Sequence, residues 1–286
     1  MNPATPRRPG PSGIVSLTVT SGKGGVGKTS VVVNLAVALA RLHRRVAVLD
    51  ADFGLGNIDV LLGLTPTLHL GHLLAGERTI HDIMVPGPLG IRIIPASSGL
   101  RELTSLTPAQ WQRLAEARQA LAREFDFLLI DTAPGISDTV IDLLQGPGHV
   151  MVVTSPEPTA IVDAYAVVKI LTGAQPSKPI GLLVNAAPGD SAARTVFRQL
   201  DVAAQRFLKR SLRYDGFVAR DGALRESVLA QRAIVEHRPE APASRCFLAL
   251  ASRIAGLSPD DGCGLRLAAS RAGATDTQEV EVQQCA

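Results

Sequence analysis

The stretch SGKGGVGKTS, residues 21–30, constrains the fold of this chain more than any other. Gly22, four residues, then Gly27, Lys28 and Thr29 give the spacing G-x-x-x-x-G-K-T. A loop with that spacing closes its backbone N–H groups around a phosphate. Glycine permits the inward turn because no Cβ intrudes. A helix started at the end of the loop points its positive pole at the anion. Lys28 would neutralise the β- and γ-phosphates, and the Thr29 hydroxyl would ligate Mg²⁺. The motif requires a strand before it and a helix after it. GIVSLTVT (13–20) is apolar and β-branched, and VVVNLAVALARL (31–42) has the length of a buried helix. Lys23 has no duty in the basic motif. It reads either as a solvated surface lysine or as a charge that reaches a phosphate on another molecule, as an arginine finger does.

The same alternation continues along the chain. Apolar runs at 13–20, 45–50, 91–97, 125–131, 149–155, 179–185 and 212–218 read as strands. Helical segments fall near 28–43, 108–123, 137–145, 158–172, 189–209, 222–230 and 241–256. Continuously apolar strands separated by helices predict an α/β fold with a mostly parallel, twisted sheet covered on both faces. Nothing between 13 and 257 reads as a linker, so one nucleotide-binding domain is expected there. Residues 1–12, rich in proline, and 258–286, rich in acids, read as disordered tails.

Ligands in such sheets sit at the carboxyl ends of the strands. Two strands end there in aspartate. VAVLDAD (46–52) supplies Asp50 and Asp52, spaced to share one side; FDFLLIDTAPG (125–135) supplies Asp131. An apolar strand ending in Asp beside a phosphate loop would hold Mg²⁺, so Thr29, Asp50 and Asp131 are the candidate metal residues. Asp52 would orient or activate the attacking water. The Gly135 N–H would meet a γ-phosphate, and the Asn185 amide would read a purine edge or serve as a plain loop amide. The loop itself, Gly22, Lys23, Gly24, Gly25, Val26, Gly27, Lys28, Thr29 and Ser30, would wrap the phosphates. Each Asp also has a plainer reading as a turn or cap residue.

Hydrophobic residues make up 46% of the chain, enough for a sizeable core, with no apolar run of membrane-spanning length. The proline-rich start has no apolar stretch of the kind a secretory signal carries. Cys246, Cys263 and Cys285 form no CxxC pair, which argues for a reducing compartment and against a cysteine metal site. Twelve Lys/Arg face six Asp/Glu between Arg194 and Arg253, whereas five acids outweigh Arg266 and Arg271 after Ser258. The first asymmetry reads as solvated helix faces or as a basic surface for a polyanion.

With those pieces placed, the chain resembles the MinD/ParA family of deviant Walker-A ATPases, whose signature SGKGGVGKTS matches. The resemblance runs from about 13 to 257. It implies ATP and Mg²⁺ as ligands, slow ATP hydrolysis, and an ATP-dependent homodimer in which Lys23 reaches the partner's nucleotide. Lys23, Lys28 and Asp52 then become the catalytic set. DADFGLGNIDVLLGL, IDTAPGISDTV and EPTAIVDAYAVVKIL look like the FlhG/FleN (YlxH) branch, regulators of flagellar number and placement. That branch implies a cytoplasmic protein, peripheral at a cell pole, partnered by a flagellar component: an FlhF-like GTPase, a switch protein or a transcription regulator. DNA partitioning of the ParA kind and division-site positioning of the MinD kind are the alternatives. Three departures stand out. The start has no D-Q-A core, the end is acidic where a basic membrane helix occurs in relatives, and VARD (218–221) replaces an I-P-x-D loop. An acidic end would be repelled by anionic lipid. Asp221 is still expected near the adenine.

Overall fold

A computed structural model describes residues 13–54, 56–96, 106–146 and 148–258; the two tails read from the sequence lie outside these, apart from Ser258. The phosphate loop joins β1 (Val15–Thr20) to α1 (Lys28–Arg41), and β2 (Val46–Ala51) follows. Three short helices come next, α2 (Ile58–Leu61), α3 (Leu70–Ala75) and α4 (Ile80–Ile83), then β3 (Val85–Pro86) and β4 (Arg92–Ile94). Beyond them run α5 (Pro108–Leu121), β5 (Phe127–Thr132), α6 (Asp138–Gln145), β6 (His149–Thr154), α7 (Pro158–Ala174) and β7 (Ile180–Ala187). The chain continues through α8 (Asp190–Leu208), β8 (Arg213–Ala219), α9 (Gly222–Leu229), α10 (Ile234–His237) and α11 (Pro242–Ile254).

The strands form one sheet in the order β3-β4-β2-β5-β1-β6-β7-β8, parallel except for β3, which runs antiparallel to β4. All seven strands read from the sequence are present, with ends shifted by up to a few residues. The short elements α2, α3, α4, α10 and β3 carry too few residues for a periodic signal and were not expected.

Alternate residues of each central strand enter different cores. Phe127, Leu129, Met151 and Val153 pack with α1, α10 and α11 on one face. Leu128 and Ile130 pack with α3–α5 on the other, and Val150 and Val152 with α6–α8. On that second face β1 presents Ser16, Thr18 and Thr20, all buried, between the two clusters. The β-branched Val31–Val33 run is helical because α1 is enclosed between the sheet and α11, where burial outweighs intrinsic preference. This layering brings the carboxyl ends of β1, β2 and β5 side by side, with Asp50 directly opposite Asp131.

Candidate active site

The start of α1 is built to receive an anion. Its N-cap, Gly27, lies in the left-handed region at φ 84°, where glycine carries no steric penalty. No side chain caps this end and no acid occupies its first turn. By contrast Thr79, Thr107, Ser137 and Asp221 cap α4, α5, α6 and α9 with their own oxygens. The free backbone donors of α1 and its dipole therefore point at the loop 22–27. Gly22 lets this loop lie against α7: a Cβ there would come 2.2 Å from the Asp163 carbonyl oxygen.

Lys28 and Asp131 meet beneath the loop. Lys28 Nζ donates to Asp131 Oδ1 at 2.5 Å, and both side chains are buried. Burial raises the Asp131 pKa, while Lys28 and a hydrogen bond from the Thr29 side chain pull it down. Asp131 Oδ2 is buried with no hydrogen-bond partner among the described residues. An uncovered carboxylate oxygen next to the Thr29 hydroxyl is the donor set that Mg²⁺ prefers. Among the described residues no group of three or more His, Cys, Asp or Glu could hold a metal ion. Mg²⁺ on Thr29 and Asp131 would thus complete its shell with phosphate oxygens and water, its usual habit.

Asp50 serves the backbone. Its Oδ1 accepts from Asp52 N at 3.2 Å; its Oδ2 accepts from Asn57 N at 3.0 Å and Ile58 N at 3.2 Å. It therefore ties down the loop that carries Asp52 and caps α2. Burial first, then the neighbouring Asp131, pushes its pKa up to about 7, against the lowering effect of these backbone donors. The role expected from the sequence, a metal residue, is thus overlaid by a loop-anchoring one. Asp52 stands half-buried at the end of β2, close enough to Asp131 to raise its pKa.

Three other residues read from the sequence as nucleotide contacts have their polar groups engaged within the protein. The Gly135 N–H, expected to face a phosphate, donates to the Ser21 carbonyl at 2.8 Å. This conformation commits that donor to the phosphate loop, and the carbonyl must release it before it can meet an anion. Asn185 Nδ2 donates to Val26 O at 2.7 Å, bracing the loop from below, while its buried Oδ1 has no partner among the described residues. Asp221 accepts from Ala223 N at 2.9 Å and Ala243 N at 3.1 Å, so it caps α9 and pins α11.

Lys23 points away from the loop's own interior. Its Nζ donates to Glu157 Oε2 at 2.9 Å and Thr159 Oγ1 at 3.1 Å, at the start of α7. Lys23 keeps the Glu157 carboxyl below its ordinary pKa. The pair is well exposed, 39% and 66%, so water screens it and it separates readily. Glu157 and Thr159 did not stand out in the sequence. The legible signal was their place just past the carboxyl end of an apolar strand, SPEPT, where sheet ligands gather.

Residues 15–178 match the family model described as an AAA domain. Antiactivator FleN of Pseudomonas aeruginosa is 42% identical over 238 residues, 83% of this chain and 85% of that protein. The flagellum site-determining protein YlxH of Helicobacter pylori is 31% identical over 224 residues, 78% of this chain and 76% of that protein. Among solved structures, the septum site-determining protein MinD of Pyrococcus horikoshii, complexed with Mg-ADP, superposes with a TM-score of 0.69 at 25% identity, covering 84% of this chain and 96% of that one.

Proposed function

Since the chain belongs to the MinD/ParA family of P-loop ATPases as an FlhG-like member, we propose that it is an ATP-driven dimerisation switch that regulates flagellar number or placement. Two subunits enclose two Mg-ATP molecules, and slow hydrolysis releases them. ATP shifts the monomer–dimer equilibrium because the dimer surrounds it and the monomer does not.

Lys23 is the observation that carries this reading. It sits in the phosphate loop, yet its ammonium lies at the exposed start of α7 on partners it can leave. A surface pair of that kind holds the charge without trapping it. In the dimer Lys23 exchanges Glu157 and Thr159 for the phosphates of the facing nucleotide. Lys28 exchanges Asp131 for its own β- and γ-phosphates, which frees Asp131 for Mg²⁺. Asp52, carried by the loop that Asp50 anchors, directs the water. Partner proteins of the flagellar apparatus read the dimer in the cytoplasm or at a cell pole.

Light scattering and phosphate release measured on two variants test the switch. Lys23→Ala should bind ATP as a monomer and hydrolyse little; ATP-dependent dimerisation at the wild-type level would remove Lys23 from its role. Asp52→Ala should bind ATP and remain dimeric; unchanged turnover would remove Asp52. Deletion of the gene, with flagella and anucleate cells counted in the same samples, tests the target. Altered flagella with normal nucleoids support this reading; anucleate cells with normal flagella move the protein to DNA partitioning.

A further inference from the structure

The outer surface of α8 carries positive charge that the fold does not neutralise. Arg198, Val202 and Arg206 recur at spacings of four and so line one stripe of the helix, with Lys209 at its C-cap. Among the described residues no ion pair involves Arg198, Arg206, Lys209 or the adjacent Arg210. Their donors go to neutral oxygens instead: Arg198 to Thr195 Oγ1, Lys209 to Arg206 O, and Arg210 to the carbonyls of Gln175 and Pro176. Asp201, on the same helix, spends its carboxylate on Leu212 N and the Gln205 amide. Two large apolar side chains stand exposed here as well, Val202 at 61% and Phe207 at 66%, the latter under the Arg206 guanidinium.

The chain itself supplies a matching segment. Residues 259–286 contain Asp260, Asp261, Asp276, Glu279 and Glu281 against Arg266 and Arg271, with valines alternating with acids in EVEV (279–282). The described chain ends at Ser258, whose carbonyl oxygen lies 3.2 Å from His149 Nε2 at the first residue of β6. Strands β6, β7 and β8 are parallel neighbours, so their first residues share one edge of the sheet. Helix α8 ends four residues before β8 begins, hence at that same edge. Within the sheet, β6 and β8 lie two strand spacings apart, about 10 Å. Twenty-eight residues follow Ser258 (259–286), and a flexible chain of that length would reach roughly 30 Å, about the length of the whole helix. A tether that short gives an effective concentration on the order of millimolar.

We propose that the acidic segment 259–286 docks on the Arg198–Val202–Arg206–Lys209 stripe of its own α8 and covers it in the isolated protein. A second copy fits this stripe poorly, since two-fold pairing would set arginine against arginine. A bare phosphate backbone answers the charges but leaves Val202 and Phe207 uncovered; the acid–valine pattern answers both.

A nitroxide on Cys285 tests this in the full-length chain carrying Cys246→Ala and Cys263→Ser. The expected result is roughly twofold paramagnetic loss of amide and methyl intensity confined to residues 198–209. That loss should be relieved near 0.5 M salt, where the Debye length is about 4 Å, and abolished by Arg206→Glu with Lys209→Glu. Loss spread evenly over the molecule, centred on the α1–α11 face, or insensitive to the charge reversal would overturn the proposal. So would loss that arises between chains, read from mixed samples of spin-labelled and isotope-labelled protein. An unaffected α8 whose resonances instead shift on adding duplex DNA would assign the face to nucleic acid and refute the docking.

Discussion

Asp50→Asn should make the nucleotide-free protein more stable at pH 8. Asp50 is almost fully buried and its pKa rises from 3.8 to about 7 on folding. The folded state therefore holds a proton that the unfolded state has already released between those values. Stability contributed by that proton is complete below pH 3.8, declines as pH rises, and is gone above about 7. At about 1.4 kcal/mol per pH unit, ionising Asp50 in the folded protein costs ~4 kcal/mol at pH 8. Asparagine keeps the shape and avoids the charge. One of its two acceptors becomes an NH₂, which faces either Asp52 N or the Asn57 and Ile58 donors and returns about 1–2 kcal/mol of the gain. The net expectation is about 2–3 kcal/mol at pH 8, a rise in Tm of roughly 5–10 °C for a domain of this size, and no gain at pH 4. Urea unfolding of both proteins from pH 4 to 8 reads this directly. A gap that is independent of pH, or a variant less stable at pH 8, would refute the burial argument. Chelator should be present throughout, since Mg²⁺ near Asp131 would favour the ionised form.

Two further outcomes separate positioning from contact. Asp221→Ala removes an acceptor from two backbone donors and should cost about 1–2 kcal/mol of stability; unchanged ATP affinity in that variant assigns Asp221 to capping, whereas a lowered affinity places it at the adenine. Gly22→Ala pushes a methyl into the Asp163 carbonyl and should displace the loop from α7, weakening ATP binding on the order of tenfold, as a strain of 1–2 kcal/mol would; isothermal titration that finds wild-type affinity would show that the loop shifts without loss.

The local chemistry was legible because it is carried by spacing. Gly22, Gly27, Lys28 and Thr29 lie within eight residues, and no tertiary contact is needed to read their spacing as that of a phosphate loop. Apolar runs of strand length, each followed by a helical segment, likewise dictate a parallel sheet, because both faces must be buried and each crossover needs a helix. Asp131 was legible for the same reason: it ends such a run.

What the sequence could not reveal is where each polar group spends its hydrogen bonds. Asp50 and Asp52 are two residues apart and look equivalent, yet one faces three backbone donors and the other stands at the strand's end. Asn185 and Val26 are joined through the sheet over 159 positions, and Lys23 and Glu157 over 134. Those pairings exist because β1 lies between β5 and β6 and because β7 is two strands away, an order that no local pattern encodes. Spacing along the chain determined which groups are available for phosphate chemistry; the order of strands in the sheet decided which of them hold one another while the phosphate is awaited.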